Sequence, residues 1–414
     1  MSSPGIGGRL TLALVVLAVL AGALPRVASP EVPTVSARGR AAATATAPPS
    51  DAAFERLAKA AEEARSAARL DEATRLYQEA LEARPSWTEG WWYLGTMLYS
   101  LERFEEARDA FRRVVAATPE DGSSWAFKGL CEFELRSYDR ALSDLQRAQA
   151  LGLPNKEIYH VATYHLGALL TRYEQFEESL ELLARLAREG NESMSIVEAL
   201  GLSVLRLPFL PSELPPQKRE MVLMAGRATV QWANGRRTAA RAGFEELLLR
   251  YPETRNVHYA FGVFLLREDP DTALEEFNRE LRLSAFHVEA MLQIALEKNL
   301  RAEHEEALAL ARKAVELAPG NSAGRNILGR ILLNMDDVEG ALKHLEEGIK
   351  IAPLSREMHF ELARAYARAG RKEDADRERK EFRRLDEARE AARSPERTMG
   401  GIDLESKEKE TSPE

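Results

Sequence analysis

The chain has 414 residues, of which 45% are hydrophobic and 30% are charged, and its formal net charge at pH 7 is −9. This composition is typical of a soluble, helix-rich protein. A nucleic-acid-binding protein needs a basic surface to release counterions from phosphates, so the acidic balance argues against nucleic-acid binding. Cys131 is the only cysteine, which excludes an intrachain disulfide and favours a small buried side chain over a reactive thiol.

The first fifty residues differ in character from the rest of the chain. An apolar run over residues 10–24 predicts a signal peptide, and the alternative for residues 1–29 is an uncleaved N-terminal membrane anchor. Residues 30–51, rich in Ala, Pro and Thr, are expected to form a disordered linker. We therefore expect an exported protein of the periplasm or cell envelope, either free or anchored to the inner membrane. The high Ala, Arg and Glu content suggests a bacterial source.

From residue 52 onward the chain repeats itself. Small residues recur 34 residues apart, in the pairs Gly95 and Gly129, Gly167 and Gly201, and Gly329 and Ala363. This period predicts one helix–turn–helix unit that is stacked many times. A stack of this kind has no natural crevice for converging catalytic groups, but it presents a long concave face to another chain, so the pattern favours binding over catalysis.

The clearest copy of the repeat covers residues 88–121. Its characteristic residues are Trp91, Leu94, Gly95, Leu98, Phe104, Ala107, Phe111 and Pro119. At these spacings the copy resembles the tetratricopeptide repeat family. The same resemblance extends to nine or ten units over about residues 52–388. The resemblance implies an all-α fold, a right-handed α-solenoid of tetratricopeptide repeats that binds polypeptides.

The physical role of the repeated positions can be predicted from residue size. Gly95, Gly129 and Ala107 are expected where the two helices of a unit cross, because small residues let the helix backbones approach. Trp91 and Phe111 are expected to fill the space around this contact. Each unit then leaves an apolar face that the next unit covers.

One unit is interrupted at residues 207–219. This segment contains four prolines, Pro208, Pro211, Pro215 and Pro216. No α-helix tolerates this spacing of prolines, so an extended loop is expected in place of the second helix of the unit that contains Gly201. Because Phe209 and Leu210 are apolar, the loop is either a hinge or docking loop, or the remnant of a decayed repeat in which Phe209 fills the gap.

The interruption divides the predicted array into two parts, residues 52–206 and residues 220–393. The second part ends in a charged helix that is expected to cap the last repeat. Residues 394–414 are expected to form a disordered tail.

The sequence contains no convincing enzyme motif. His304 begins a pattern like that of zinc proteases, but Leu308 stands where the second histidine is needed. His258 and His359 share a repeat position usually held by tryptophan, which favours a packing role. We therefore predict that the protein is not an enzyme and has no catalytic residue, metal site or cofactor.

The family resemblance implies that a ligand lies against the first helix of each unit. The residues that the family register places on this face are Trp92, Thr96, Tyr99, Phe133, Tyr164, Trp232, Tyr259, Asn326, Arg330, Asn334, Phe360, Arg364 and Arg368. Aromatic residues dominate the N-terminal half of the set, whereas amide and guanidinium donors suited to carboxylates dominate the C-terminal half. This predicts a polypeptide partner with an apolar segment followed by an acidic one. The alternative is that the aromatic residues pack against the next repeat.

Two alternatives to a groove ligand are a chaperone clamp and a self-associating spacer. Tetratricopeptide domains that clamp chaperone C-termini use basic and amide residues; Asn326 and Arg330 fit the first two places, but Glu361 occupies the next and would repel the ligand. The clamp function is therefore not expected. The remaining alternative is a self-associating spacer or assembly factor, which would form a homo-oligomer without a groove ligand. Contact with a membrane is expected only through the N-terminal segment, if it is uncleaved.

Overall fold

The computed structural model describes residues 51–393, with side chains through residue 388. All regular secondary structure in this range is helical, as the repeat pattern predicts. The signal or anchor segment, most of the linker and the C-terminal tail lie outside the described residues. The described chain falls into two compact units, and the boundary between them lies between Leu247 and Leu248.

The first unit contains the helices up to this boundary. They are α1 Asp51–Ser66, α2 Leu70–Ala83, α3 Thr88–Ser100, α4 Phe104–Ala117, α5 Gly122–Glu134, α6 Tyr138–Leu151, α7 Lys156–Arg172, α8 Phe176–Arg188, α9 Met194–Val204, α10 Arg219–Ala233 and α11 Arg237–Arg250, the last of which continues across the boundary.

The second unit contains the remaining helices. They are α12 Val257–Leu265, α13 Pro270–Leu283, α14 Val288–Leu300, α15 His304–Leu317, α16 Ser322–Asn334, α17 Val338–Ile351, α18 Arg356–Arg368 and α19 Lys372–Arg393. Apart from weaker contacts, the helices of each unit pack only against helices one or two places away along the chain. This nearest-neighbour packing is the defining property of an α-solenoid.

Small residues lie at the crossings between paired helices, as predicted. A Cβ atom placed on Gly95 of α3 would lie 2.9 Å from the Phe111 ring of α4, and Ala107 is completely buried. Trp91 is half-buried and packs against the core that contains Phe111. Its indole N–H also donates to the Pro85 carbonyl at 2.9 Å, and the adjacent Trp92 packs edge to face against Phe111.

The position of Trp91 reveals a hydrogen bond that recurs along the chain. A side-chain nitrogen bonds to the carbonyl of the proline six residues earlier, in the pairs Trp91 and Pro85, Trp125 and Pro119, His258 and Pro252, Arg325 and Pro319, and His359 and Pro353. These nitrogen–oxygen distances range from 2.8 to 3.1 Å. The bond fixes the turn between two repeats to the first helix of the second repeat.

The interrupted unit has the predicted loop after α9. Within residues 207–219, two short 3₁₀ turns, Pro211–Glu213 and Pro216–Lys218, connect α9 to α10. Leu210 is 1% exposed and belongs to a core cluster of the first unit, and Leu214 is buried as well. Phe209, which the decayed-repeat alternative names as the filler, is only half-buried.

Helix α10 takes the place of the missing second helix and packs directly on α9. The crossing is very close, because a Cβ on Gly201 would lie 1.9 Å from the Val222 carbonyl oxygen and a Cβ on Gly226 would lie 1.9 Å from the Val197 carbonyl oxygen. Real Cβ contacts are never this short, so both positions require glycine. The backbones of the two helices therefore meet without an intervening side chain.

Candidate functional site

The aromatic part of the predicted face is largely buried in the first unit. Trp92, Thr96 and Tyr99 are all buried in α3. The rings of Trp92 and Tyr99 pack edge to face against Phe127 of α5, with centroid distances of 5.4 and 5.8 Å. The large side chain of Phe127 in the next repeat covers them, so the prediction that these three residues face a ligand is wrong.

Tyr259 in the second unit is also buried. Its ring lies 4.7 Å from the His287 ring and 5.7 Å from the Phe277 ring, between centroids. The next repeat covers it in the same way as Trp92. Tyr259 therefore provides no surface for a ligand.

Three predicted aromatic residues, Phe133, Tyr164 and Trp232, are half-buried. Phe133 on α5 and Tyr164 on α7 lie in adjacent repeats and contact the same ring, that of His165 on α7, at centroid distances of 4.7 and 5.1 Å. Burial lowers the pKa of His165, so this imidazole is neutral near pH 7. Burial also raises the pKa of Tyr164 to about 12. The first unit thus retains a small, uncharged aromatic surface.

The polar part of the predicted face lies on α16 and α18 of the second unit. On α16, Asn326 and Arg330 are half-buried and Asn334 is exposed. The Asn334 amide donates to Oδ1 of Asn299 on α14 at 3.1 Å. The Arg330 guanidinium forms no hydrogen bond or ion pair with any residue that the structure describes, so all its donors remain available.

Helix α18 places an aromatic ring beside two further guanidinium groups. Phe360 is 47% exposed, and the Arg364 guanidinium lies 5.9 Å from its ring centroid. Arg364 also binds the Glu361 carboxylate at 2.6 Å, which neutralises the charge that was expected to repel an acidic ligand. Arg368 donates to the Leu333 carbonyl of α16 and so ties the two helices together.

These contacts define a polar face composed of Asn326, Arg330, Asn334, Phe360, Arg364 and Arg368, which we call the α16–α18 face. It combines an unpaired guanidinium with a half-exposed phenyl ring. Guanidinium groups bind carboxylates through two parallel hydrogen bonds, and the phenyl ring offers an apolar contact. The arrangement is therefore suited to an acidic polypeptide segment that also carries an apolar side chain.

The histidines at the tryptophan position have a structural role that the sequence pattern only partly indicated. Nδ1 of His258 lies 2.5 Å from the Glu276 carboxylate, and Nε2 lies 2.8 Å from the Pro252 carbonyl. Both partners accept hydrogen bonds, so the ring bonds to both only as an imidazolium. Burial disfavours this charge, but the hydrogen bonds to Glu276 and Pro252 outweigh burial and raise the pKa of His258.

His359 repeats this arrangement one hundred and one residues later. Its Nδ1 lies 2.7 Å from the Glu378 carboxylate, and its Nε2 lies 3.1 Å from the Pro353 carbonyl. The prediction of a packing role therefore holds only in part, because each histidine is buried as a member of a polar pair. A proline six residues before each histidine, and a glutamate 18 or 19 residues after it, were the available signals.

Residues 51–388 contain no group of three or more His, Cys, Asp or Glu side chains arranged to hold a metal ion. Cys131 is buried, and burial raises the pKa of its thiol. None of the helices in the described part of the chain combines the length and apolar character needed to cross a membrane.

Comparison with known proteins decides the family. Family models described as tetratricopeptide repeat match residues 58–122, 98–152, 226–288 and 301–359, which together make up more than half of the chain. The chain belongs to the tetratricopeptide repeat family. As a tetratricopeptide repeat protein, it has the architecture of a protein-interaction scaffold.

Similar solved structures add only a limited likeness to this tetratricopeptide repeat protein. MamA AMB-1 is 22% identical, with a TM-score of 0.35, over 40% of this chain and 98% of its own. MamA RS-1 ArsTM double mutant is 16% identical, with a TM-score of 0.37, over 42% of this chain and 97% of its own. At these scores the likeness supports no conclusion about function. No curated protein matches the chain.

Proposed function

We propose that this tetratricopeptide repeat protein is a non-enzymatic scaffold that binds a polypeptide on the α16–α18 face. The observation that carries the proposal is the unpaired guanidinium of Arg330 on the same surface as the half-exposed Phe360. Arg330 is only half-buried and has no partner among the residues that the structure describes, so a ligand can reach its donors. A carboxylate ligand would satisfy its donors.

The chemistry of this face supports one kind of partner. An acidic segment would place carboxylates against Arg330 and Arg368, while one apolar side chain of the segment packs on Phe360. The half-buried pair Phe133 and Tyr164 supports a preceding apolar segment, as the sequence suggested, but with a much smaller surface than expected. Nucleic acid is not proposed as a partner because the chain is acidic.

The proposed location is the cell envelope of a bacterium. It rests on the apolar run at residues 10–24, which would direct export as a signal peptide or hold the protein at the inner membrane. Fractionation of cells that produce the full chain tests this location. Recovery in the periplasmic or membrane fraction supports it, and recovery in the cytosolic fraction overturns it.

Capture from an envelope extract tests the binding face. Three full-length baits are compared: wild type, a face variant with Arg330→Ala, Phe360→Ala and Arg368→Ala, and a matched control. The control carries Arg112→Ala, Met194→Ala and Arg227→Ala, which remove two exposed arginines and an exposed apolar side chain elsewhere. We expect a protein that wild type and control retain and the face variant loses. Equal retention by all three baits would place binding on another surface.

The second candidate, a self-associating spacer, is distinguished by sedimentation velocity. A spacer that binds its own copies sediments faster as its concentration rises, whereas a monomeric scaffold does not. Growth of the particle together with an empty capture experiment would favour the spacer. A monomer with a retained protein would favour the scaffold.

A further inference from the structure

The second unit carries a row of exposed apolar side chains that neither its core nor the α16–α18 face uses. Phe286 and Leu354, in turns between repeats, are 69% and 71% exposed. Leu317 and Ile351, at the ends of α15 and α17, are 41% and 45% exposed. We call these four residues the apolar edge. Single exposed apolar residues are common, but a set at equivalent repeat positions marks an interaction surface.

The repeat register places these residues along one edge. Leu317 and Ile351 each follow the buried alanine of their helix, Ala307 or Ala341, by ten residues. Leu354 follows Ala341 by 13 residues, and Phe286 follows the equivalent Ala273 by the same number. In the repeat between them, Gly320 holds this position, 13 residues after Ala307.

The first unit has only one large apolar residue at these positions. At the positions equivalent to Leu317 it has Ala83, Ala117 and the half-buried Leu151, and at those equivalent to Leu354 it has Ser86, Glu120 and Pro154. The repeat fold therefore does not require large apolar residues at either position. Their presence in the second unit needs a separate physical explanation.

The unpaired charges beside the apolar edge are mainly positive, because the nearby carboxylates of Glu289, Glu347 and Glu357 are in ion pairs. Nζ of Lys313 lies 5.8 Å from the Phe286 ring centroid, and Lys313 is one helical turn before Leu317. Arg282 and Lys350 are exposed next to the edge, and Glu316 is the acidic residue among them. None of these four charged groups forms an ion pair with a residue that the structure describes. An excess of unpaired positive charge beside the edge, in a chain of net charge −9, favours an anionic partner surface.

We propose that the apolar edge docks on the surface of an anionic lipid bilayer. Phe286 and Leu354 enter the headgroup region from their turns, and Arg282, Lys313 and Lys350 lie against lipid phosphates. Basic residues combined with apolar side chains bind anionic bilayers in this way. A bilayer fits better than a peptide, because the apolar residues stand on turn tips and helix ends and do not line a groove. The proposal is independent of the α16–α18 face.

An environment-sensitive fluorophore on a single introduced cysteine tests the docking. Cys131 is fully buried, so the label reacts at Leu354→Cys, in the full-length chain. The matched control carries the label at Glu120→Cys, in the equivalent turn of the first unit. Any tethering through residues 10–24 brings both labels to the same vesicles, so a difference between the two labels reports the apolar edge.

Vesicles of phosphatidylglycerol and phosphatidylcholine are compared with vesicles of phosphatidylcholine alone. We expect the label at position 354 to brighten and shift to the blue with anionic vesicles, and the label at position 120 to stay unchanged. No change at position 354, or an equal change at both positions, overturns the proposal. Brightening caused by soluble envelope proteins without lipid also overturns it, because the occupant would then be a protein.

A charge variant tests the electrostatic part of the docking. Arg282→Glu, Lys313→Glu and Lys350→Glu are introduced together into the chain labelled at position 354. Because each basic residue near an anionic bilayer contributes about a factor of five to binding, loss of the three alone should raise the lipid requirement about 100-fold, and we expect their reversal to Glu to raise it further. An unchanged lipid requirement overturns the proposed role of these residues. Unchanged circular dichroism shows that the variant remains folded, and capture by the α16–α18 face is read separately.

Discussion

The first helix of a repeat uses the same positions differently in the two units, as α3 and α18 show. In the first unit Trp92, Thr96 and Tyr99 of α3 are buried beneath the next repeat, whereas the equivalent Phe360 and Arg364 of α18 reach solvent. The repeat register is the same in both helices. The neighbouring repeat decides exposure, because the large Phe127 ring covers α3.

The tryptophan position shows a second difference between the units. Trp91 and Trp125 in the first unit bond to a proline carbonyl through an indole N–H, which does not ionise near pH 7. His258 and His359 make the same bond in the second unit and add a buried glutamate. The same hydrogen bond is therefore made by an indole in one unit and by a histidine paired with a glutamate in the other.

Alanine substitution of Trp92 in the first unit and of Phe360 in the second gives the largest expected difference in stability. We expect Trp92→Ala to lower the free energy of unfolding by about 3–5 kcal/mol, because a large buried aromatic side chain leaves a cavity. Phe360→Ala, at a half-exposed ring, is expected to cost less than about 1 kcal/mol. Chemical unfolding followed by circular dichroism measures both. Equal costs would show that Trp92 is exposed in solution and would return it to the candidate face.

The next comparison is between two helix crossings. At the α9–α10 crossing two backbones are in contact, whereas at the α3–α4 crossing a backbone contacts a side chain. Gly226→Ala places a Cβ against the Val197 carbonyl, which cannot move without shifting α9, so we expect a loss of about 3 kcal/mol. Gly95→Ala places its Cβ against the Phe111 ring, which has more freedom to adjust, so about 1 kcal/mol is expected. Both variants are compared by thermal melting. A larger loss for Gly95→Ala would contradict the close packing of α9 on α10.

The smallest expected effect is a pH dependence at His258 in the second unit. The hydrogen bonds to Glu276 and Pro252 raise the pKa of His258 in spite of burial. Stability from a raised histidine pKa is fully present below the unfolded pKa of about 6.5 and is lost as the pH rises through the folded value. We expect the loss to stay below about 1 kcal/mol.

Other charged groups around His258 define the control for this pH prediction. Arg279 binds the Glu276 carboxylate at 2.6 Å, and Glu280 accepts hydrogen bonds from the Asn256 and Tyr259 amides. Amide hydrogen exchange in α12 and α13, corrected for intrinsic rates, should show weaker protection at pH 8.5 than at pH 6. In His258→Gln the difference should disappear. A dependence that persists would assign it to Glu280 or another carboxylate.

The sequence predicted the helical repeat, its small crossing residues and the proline-rich interruption, because each depends on local size or backbone freedom. Side-chain size explains the prediction at Gly95 and Ala107, and restricted backbone freedom explains the prediction at Pro211. The sequence indicated the burial of Trp92 only as the alternative to a ligand face, and it did not predict the close approach of Gly226 to α9. Both depend on which side chain the neighbouring helix presents, and a single repeat's spacing does not contain that information.

The binding constant of the captured partner tests the central claim most directly. Isothermal titration compares the full-length wild type with a second-unit variant, Arg330→Ala with Phe360→Ala, and a first-unit variant, Phe133→Ala with Tyr164→Ala. We predict that the second-unit variant binds at least about tenfold more weakly, a loss of ~1.4 kcal/mol, while the first-unit variant changes less. Unchanged binding by the second-unit variant together with weakened binding by the first-unit variant would contradict the account and place the ligand on the first unit.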